Sequence, residues 1–356
     1  MVAVAESGRE GARVIGTFAH DVPKLVKVLA RLGPASQIHV VYEAGPTGYG
    51  LQRALSGKGY VCEVIAPSLI PKRAGDRIKT DRRDALRLAE LARAGELTAI
   101  WIPKVSDEAI RDLSRAREDA LNARTQARHQ LKGFLLRHAL RYPGKTSWTK
   151  TYVSWLASLN VGEEAAQIAL GEYRLAVESA DDRVARLTQA VTASVLGWRF
   201  EPVVSALQAL RGIDVVSAIG LVAEIGDIKR FDHPRKLMGY LGLVPSEYSS
   251  GDRTARGSIT KAGNAHARRL LIEAAWNYHC TPRIGVRAQA RQEGLSEAIR
   301  AHAWKAQLRL CARFKALKAR GVQINKVCVA VARELMGFIW AIAHLAQPQT
   351  ETAQST

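Results

Sequence analysis

The pattern of apolar residues changes abruptly near Pro103, and this change constrains the fold more than any other feature of the sequence. Before Pro103, short runs rich in β-branched residues alternate with runs in which apolar residues recur at helical spacing. After it, helix-forming residues continue with few breaks as far as Val195. Alternating strands and helices indicate an α/β domain, and at 356 residues the chain is long enough for at least two domains.

Residues 1–103 are predicted to form the α/β domain. The strand candidates are Arg13–Phe18, Ile38–Tyr42, Tyr60–Ile65 and Ala99–Ile102. The helix candidates cover residues 22–31, 49–55 and 80–94. Asp21 is placed to cap the first of these helices.

Residues 104–200 are predicted to form a helical connector, and residues 201–346 a mostly α-helical C-terminal domain. A long helix over residues 106–141 carries eight Arg and Lys residues, so we expect it to be exposed. Helices over residues 148–159 and 163–195 follow, which suggests an antiparallel connector or coiled coil. The polar tail, residues 347–356, is expected to be disordered.

The charge of the chain favours nucleic acid as its partner. Lys and Arg number 52 against 33 Asp and Glu, a formal charge of +19 that attracts polyanions. No membrane partner is expected, because the apolar stretch over residues 335–346 is shorter than the ~20 residues of a spanning helix. No export signal is recognisable, so we expect a cytoplasmic protein. The cysteines are widely spaced and predict neither a zinc site nor disulfides: Cys62, Cys280, Cys311 and Cys328.

The positive charge is concentrated in residues 251–320, where 15 Lys and Arg stand against four Asp and Glu. We expect a phosphate backbone to lie there, since a merely solvated helix face usually mixes both signs. Upstream, residues 210–218 predict a helix, a glycine turn and a second helix. Such a turn can present backbone N–H groups to a phosphate or simply pack two helices together, and the sequence leaves both open.

Three carboxylates are candidate metal ligands. Glu43 ends an apolar strand candidate, at the edge where open α/β sheets place ligands. Asp81 and Asp84 are three residues apart and share one face if a helix begins there. Carboxylates of this kind suit Mg²⁺, which stabilises the attacking and leaving oxygens of phosphoryl transfer. The alternative is structural: an Asp in a first helical turn interacts well with the helix dipole.

A serine-rich segment is the candidate nucleophile site. Ser250 lies beside a glycine and is followed by the cations Arg253, Arg256 and Lys261. A hydroxyl, a flexible backbone and positive charge are the parts needed to attack a phosphodiester. The alternative is an ordinary turn, which most runs of this kind form.

Several motifs occur in order along nearly the whole chain: Glu43-Ala44-Gly45, Lys79-Thr80-Asp81 with Asp84-Ala85, Ala223-Glu224-Ile225-Gly226-Asp227, Gly242-Leu243-Val244-Pro245 with Ser250-Gly251, and Lys261-Ala262-Gly263-Asn264 with Arg268-Arg269-Leu270. Together they resemble the DEDD-type insertion-sequence transposases of the group numbered one-ten. A set of ordered motifs is far more specific than any one of them alone.

The resemblance implies an N-terminal ribonuclease-H-like domain, similar to Holliday-junction resolvases, in which four acids bind Mg²⁺. Glu43, Asp81 and Asp84 correspond to the second, third and fourth acids. The resemblance also implies that a serine attacks DNA to form a phosphoserine link; Ser250 is its counterpart, and Ser249 is the less favoured neighbour. It further implies guidance by a structured RNA from the ends of the element.

Contacts to nucleic acid are expected from five cations of the C-terminal domain: Arg253, Arg256, Lys261, Arg268 and Arg269. DNA and a guide RNA are the expected partners. We expect a homodimer or homotetramer, because strand exchange must hold two duplexes at once.

The first acid of the family has no counterpart here. It precedes a segment resembling residues 1–8, and Asp21 is not assigned to its role because helix capping already explains it. We expect either a start codon placed too far downstream or a truncated copy that lacks one ligand and one central strand.

The resulting hypothesis is an Mg²⁺-dependent DNA recombinase that uses a serine nucleophile to move its own element. Two alternatives remain open. One is a resolvase-like nuclease that uses only the acidic domain, and the other is a nucleic-acid-binding remnant without catalysis.

Overall fold

The computed structural model describes residues 1–18, 21–71, 80–248, 250 and 255–346. The chain forms two compact units, which adjoin in sequence between Pro103 and Lys104. We call them unit 1 and unit 2. The point at which the sequence pattern changes is therefore also the point at which the chain leaves unit 1.

Unit 1 contains four short strands and three helices: β1 (Val2–Val4), β2 (Arg13–Gly16), α1 (Val22–Ala30), β3 (His39–Glu43), α2 (Gly50–Ser56), β4 (Val61–Ile65) and α3 (Asp81–Arg93). The mixture of strands and helices agrees with the predicted α/β class. Strand β1 has no counterpart among the predicted strands. The strand predicted over residues 99–102 is reduced to a single antiparallel bridge between Ala99 and Ile65.

The strands of unit 1 form two separate pairs. β1 and β2 are antiparallel, whereas β3 and β4 are parallel and in register from His39 opposite Val61 to Glu43 opposite Ile65. The described residues do not join these pairs into one continuous sheet. The α/β class is therefore observed, and the ribonuclease-H-like arrangement stays a prediction.

Helix α1 begins as the sequence predicts. The Asp21 carboxylate accepts a hydrogen bond from the backbone N–H of Lys24 at 3.0 Å, which satisfies one of the free donors of the first turn. The capping role of Asp21 is confirmed. Leu29 of this helix packs with Leu55 and Tyr60 in the core of unit 1.

Unit 2 begins with three helices: α4 (Val105–Arg137), α5 (Lys150–Ser158) and α6 (Glu164–Ala193). Helices α4 and α6 run in opposite directions. Arg117 donates a hydrogen bond to Thr188, whereas Arg128, which comes later in α4, donates to Asp181, which comes earlier in α6. The predicted antiparallel arrangement of the two long helices is thus observed.

The prediction that the first long helix is exposed holds for one face of it and is wrong for the other. Side chains along one face of α4 are buried, among them Ala120, Leu131 and Phe134. Its arginines also meet partners within the unit: Arg115 bonds Glu224, and Arg128 bonds Asp181. Apolar and small residues recur at helical spacing between the arginines and predict a buried face, so the charge of this helix alone gave a misleading picture.

The rest of unit 2 is helical except for one hairpin: α7 (Glu201–Leu207), α8 (Val215–Ile225), α9 (Pro234–Tyr240), β5 (Pro245–Glu247), β6 (Arg256–Ile259), α10 (Ala265–Trp276), α11 (Val286–Ala290), α12 (Glu297–Ala319) and α13 (Ile324–Leu345). β5 and β6 are antiparallel. One apolar core joins α7–α10, α12 and α13, and Ile110 and Leu113 of α4 pack against it.

Helix α13 is the one helix among the described residues that is long and apolar enough to cross a membrane. Half of its most apolar window is buried inside the protein. Nine of its residues are buried, Val331, Leu335 and Ile339 among them, and they belong to the core of unit 2. The helix is longer than the apolar stretch recognised in the sequence, and it serves as a core helix in this fold.

The glycine turn between α7 and α8 serves packing. Gly212 has φ +81°, and a Cβ atom built there would lie 2.5 Å from the carbonyl oxygen of Ala274 in α10. The Asp214 side chain accepts a hydrogen bond from the Ser217 N–H at 2.8 Å, so a carboxylate already occupies the start of α8. Of the two interpretations of this turn, the structure favours close helix packing.

Candidate catalytic and nucleic-acid-binding sites

Glu43 is the last residue of β3, and its side chain is exposed. The strand ends there, while the next backbone N–H, that of Ala44, still bonds to the carbonyl oxygen of Ile65 at 2.8 Å. The pairing with β4 fixes the backbone of Glu43. Its carboxylate is consequently presented to solvent from an ordered strand end, as the sequence predicts.

Asp81 and Asp84 lie in the first turn of α3. Thr80 caps this helix, because its hydroxyl accepts a hydrogen bond from the N–H of Arg83 at 3.3 Å. Asp81 is exposed and Asp84 is partly buried. Since α3 packs against β1, β2 and β3, the helix with the two aspartates lies against the strand that carries Glu43.

The three carboxylates do not form a complete metal site within unit 1. Among the described residues, no group of three or more His, Cys, Asp or Glu side chains is arranged to hold a metal ion. Their chemistry suits Mg²⁺, which prefers oxygen ligands, but their arrangement in this structure does not supply a three-carboxylate cage.

Ser250 lies on the loop of the β5–β6 hairpin, and it is exposed. Glu247 and Arg256 are paired across the hairpin, and the Tyr248 N–H bonds to the carbonyl oxygen of Ala255 at 2.9 Å. Ser249 and Arg253 fall outside the described residues. The position of Ser250 therefore leaves its hydroxyl accessible to a large substrate.

The base of the hairpin is held by close contact between two loops, the segments before β5 and after β6. The Thr260 N–H bonds to Val244 O at 2.9 Å, and the Lys261 N–H bonds to Gly242 O at 3.1 Å. A Cβ atom at Gly263, where φ is +69°, would lie 1.9 Å from the carbonyl oxygen of Tyr240. Only glycine permits this approach, so the glycine of the Lys261–Asn264 motif has a steric reason.

Arg268 ties the same two loops together. Its Nη1 donates hydrogen bonds to the carbonyl oxygens of Leu241 and Ala262, both at 2.9 Å. A guanidinium shared between two carbonyls fixes their separation. Arg268 thus has a structural role in supporting the hairpin.

Helix α8 carries a fully buried carboxylate, that of Glu224. Arg115 donates to it from Nε at 2.6 Å and from Nη2 at 2.9 Å. Asn264 donates a third hydrogen bond, and His266 Nδ1 lies 3.7 Å from Oε1. Burial alone would raise the pKa of Glu224, but Arg115, then Asn264 and His266, hold this pKa below its ordinary value.

Glu224 lies within one of the ordered sequence motifs, but the motif predicts no role for it. A signal was present: Glu224 is the one charged residue in the otherwise apolar helix Val215–Ile225. A buried charge requires a partner, so the sequence could have indicated an ion pair there. It could not have identified Arg115, which is 109 residues away.

The predicted nucleic-acid contacts differ in how freely they can meet a ligand. Arg256 is exposed and lies 3.5 Å from Glu247, and Lys261 is exposed. Arg269 is flanked by two carboxylates, Glu118 at 2.8 Å and Glu273 at 2.7 Å. Arg256 and Lys261 are therefore better placed than Arg268 or Arg269 to bind a phosphate.

Comparison with known proteins agrees with these motifs. Residues 204–288 match the family model described as transposase IS116/IS110/IS902 family, and residues 1–139 match the transposase model DEDD_Tnp_IS110. The first match lies within unit 2, and the second covers unit 1 and continues through α4 of unit 2. Both the acidic segment and the segment around Ser250 fall within them.

Full-length relatives extend the similarity. The putative transposase y4qE of Sinorhizobium fredii is 47% identical over 98% of this chain and 87% of its own length. The transposase for insertion sequence element IS1533 of Leptospira borgpetersenii is 30% identical over 82% of this chain and 85% of its own. The transposase for insertion sequence element IS1111A of Coxiella burnetii is 25% identical over 85% of this chain and 77% of its own length. The chain therefore belongs to the IS116/IS110/IS902 family of transposases.

Proposed function

We propose that this transposase moves its element by a reaction in which the Ser250 hydroxyl attacks a DNA phosphodiester. A bond would form between Oγ and phosphorus, the bond from phosphorus to one strand oxygen would break, and the serine proton would pass to a base. The DNA would then be held as a phosphoserine. The observation that carries the proposal is the exposed position of Ser250 on a hairpin whose base is rigidly held.

The charge around the hairpin supports this chemistry. Arg256 and Lys261 are exposed cations on and just after β6. Cations fixed near a phosphodiester stabilise the charge that develops as the nucleophile attacks. The pairing of Arg256 with Glu247 is exposed and therefore weak, so a phosphate can compete for that arginine.

Glu43, Asp81 and Asp84 are proposed as ligands for Mg²⁺ in unit 1. Mg²⁺ keeps several of its waters and often uses only one or two protein carboxylates, so a complete cage of three is not required. When bound, the ion would stabilise charge on the oxygens of a phosphodiester. The contact between α3 and β3 supports the assignment, because it places all three carboxylates on neighbouring elements.

A guide RNA and an oligomer complete the proposal. The formal charge of +19 supports binding of more than one nucleic-acid segment. A homodimer or homotetramer is proposed because exchange of strands requires two duplexes to be held together. The paired arginines of α4 make that helix a weaker candidate for RNA binding than its sequence suggests.

The proposal is tested by trapping the covalent adduct. Purified protein is incubated with labelled element-end DNA and any required RNA, quenched in detergent and resolved on a denaturing gel. Wild type should give a protein–DNA band that Ser250→Ala lacks, while DNA affinity stays within about twofold because the hydroxyl contributes little to ground-state binding.

Two serines serve as matched controls. Ser246→Ala should keep the adduct, since the Ser246 hydroxyl is engaged with the carbonyl oxygen of Ser258 at 3.2 Å. An adduct that is lost in Ser249→Ala but kept in Ser250→Ala would identify Ser249 as the nucleophile. Metal-dependent cleavage with no adduct from wild type would support a hydrolytic nuclease instead.

A further inference from the structure

A pocket in unit 2 is lined by four arginines and a tryptophan. It has a volume of about 340 Å³ and lies between the turn after α7, the segment of residues 283–292 and α12. Its polar lining includes Arg211, Arg283, Arg287 and Arg291, and Trp304 forms part of the wall. No Asp or Glu is among the described residues that line it.

Two of these arginines are held in place by the backbone. Arg211 donates to the carbonyl oxygens of Thr281 at 3.0 Å and Arg283 at 3.2 Å. Arg291 donates to Ile213 O at 3.1 Å. Carbonyl oxygens orient a guanidinium without cancelling its charge, so the pocket keeps two fixed positive charges.

The other two arginines are exposed. Arg283 and Arg287 have no ion pair with any carboxylate in the described part of the chain. In addition, the Nε atom of Arg291 is buried and lacks a hydrogen-bond acceptor among the described residues. An anion in the pocket would supply an acceptor for this N–H group.

Trp304 gives the pocket an aromatic surface. Its side chain is 38% exposed, and the neighbouring Ile284 is 46% exposed. Arginines that attract phosphate, combined with an exposed aromatic ring, are the parts of a site for unpaired nucleic acid, because bases stack on aromatic rings while the backbone meets the cations.

The size of the pocket restricts the ligand further. A volume of about 340 Å³ lies at the lower end of the range for small-molecule sites, roughly 300–1,000 Å³, and a double helix is far too wide to enter. We propose that this pocket binds one nucleotide of an unpaired DNA strand, with its base on Trp304 and its phosphates on Arg283 and Arg287. The site is distinct from the hairpin that carries Ser250, and its occupation does not depend on the serine chemistry.

The test measures binding of single-stranded and double-stranded DNA by fluorescence anisotropy. The probes are a labelled oligo(dT) of about 12 nucleotides, within the usual range of single-strand site sizes, and a duplex of equal length. Trp304→Ala should weaken single-strand binding by about 5- to 100-fold and leave duplex binding nearly unchanged. The control is Trp276→Ala, since Trp276 is 49% exposed and is not among the residues that line the pocket.

Charge is tested separately. Arg283→Gln with Arg287→Gln should lower the salt dependence of single-strand binding by about 1.4 in the log–log slope. The double variant Arg320→Gln, Arg333→Gln removes the same charge outside the pocket and should change this slope less. All four substituted arginines are exposed, so the comparison of the two double variants remains informative even if Trp304→Ala does not fold.

Three results would overturn the proposal. The first is equal loss of single-strand binding in Trp304→Ala and Trp276→Ala, and the second is an equal change of slope in the two arginine pairs. The third is Trp304-dependent binding of oligo(rU) with none of oligo(dT), which would assign the pocket to RNA. Ser250→Ala should bind oligo(dT) as wild type does, so failure of the serine chemistry is distinguishable from failure of this site.

Discussion

Glu224 and Arg115 join α8 to α4 through a two-pronged ion pair, with 2.6 Å between Nε and Oε1 and 2.9 Å between Nη2 and Oε2. Asn264, which caps α10 by accepting from the Ala267 N–H, donates to the same carboxylate. One buried carboxylate therefore links three helices. It also fixes the start of α10, directly after the loop that supports the hairpin.

Glu224→Gln should lower the free energy of unfolding by about 1–3 kcal/mol, because it removes the charge from a buried carboxylate that accepts three hydrogen bonds, while the Arg115 side chain is half exposed and keeps contact with water. Urea unfolding followed by tryptophan fluorescence measures this, since six of the seven tryptophans lie in unit 2. Glu273→Gln is the control: its pair with Arg269 is exposed and should contribute less than about 1 kcal/mol. Equal losses in the two variants would contradict the role given to Glu224.

The same carboxylate should make stability depend on pH in the acid range. The pKa of Glu224 is lower in the folded protein than its ordinary value of 4.5. A group of this kind stabilises the fold fully above its unfolded pKa, and that contribution is lost as pH falls through the lower folded pKa. As the pH is lowered below 4.5, the free energy of unfolding should thus fall more steeply for wild type than for Glu224→Gln, which is measured by urea unfolding at a series of pH values. Parallel curves would contradict the lowered pKa.

Gly263→Ala should destabilise unit 2 by about 2 kcal/mol or more, because the new methyl group would meet the Tyr240 carbonyl oxygen in a backbone conformation that disfavours side chains. Thermal melting by circular dichroism measures the loss. Gly239→Ala is the matched control: nothing lies within 4 Å of its added Cβ, and alanine in helix α9 should stabilise by roughly 0.5–1 kcal/mol. An unchanged melting temperature in Gly263→Ala would show that the loop contact is dispensable.

Neutralising Arg253, Arg256 and Lys261 together should flatten the salt dependence of duplex binding by about 2–3 in the log–log slope, since fewer counterions are released. Neutralising Arg268 and Arg269 together should change the slope little and lower stability instead, because both are engaged with the protein. Affinity measured at several salt concentrations distinguishes the two sets. The reverse pattern would place the phosphate track along α10.

Asp81→Asn with Asp84→Asn should weaken divalent-metal binding to the full chain. Mn²⁺ replaces Mg²⁺ as the probe, and the free ion is counted by electron paramagnetic resonance. The double variant should lose a site that wild type fills, whereas Asp112→Asn, an exposed aspartate on α4, should not. Unchanged Mn²⁺ binding in the double variant would leave these aspartates with only their helix-dipole role.

Local features were predictable from the sequence because they depend on residues a few positions apart. The capping of α1 by Asp21, the start of α3 near Thr80, the bounds of α4 and α6 to within about four residues, and the change of pattern near Pro103 all belong to this class. The ordered motifs likewise indicated the transposase family, which the comparisons confirm.

Tertiary structure decided what each charge does. In the sequence, Arg115, Arg256 and Arg269 are equivalent cations of a basic protein. In the fold, Arg115 pairs with the carboxylate of Glu224, which is 109 residues away. Arg269 lies between the carboxylates of Glu118 and Glu273, and Arg256 stays exposed. The pocket of four arginines likewise draws on segments about 90 residues apart. Periodicity reports which face of a helix is apolar, but pairing depends on which faces meet, and that is fixed only when the helices pack.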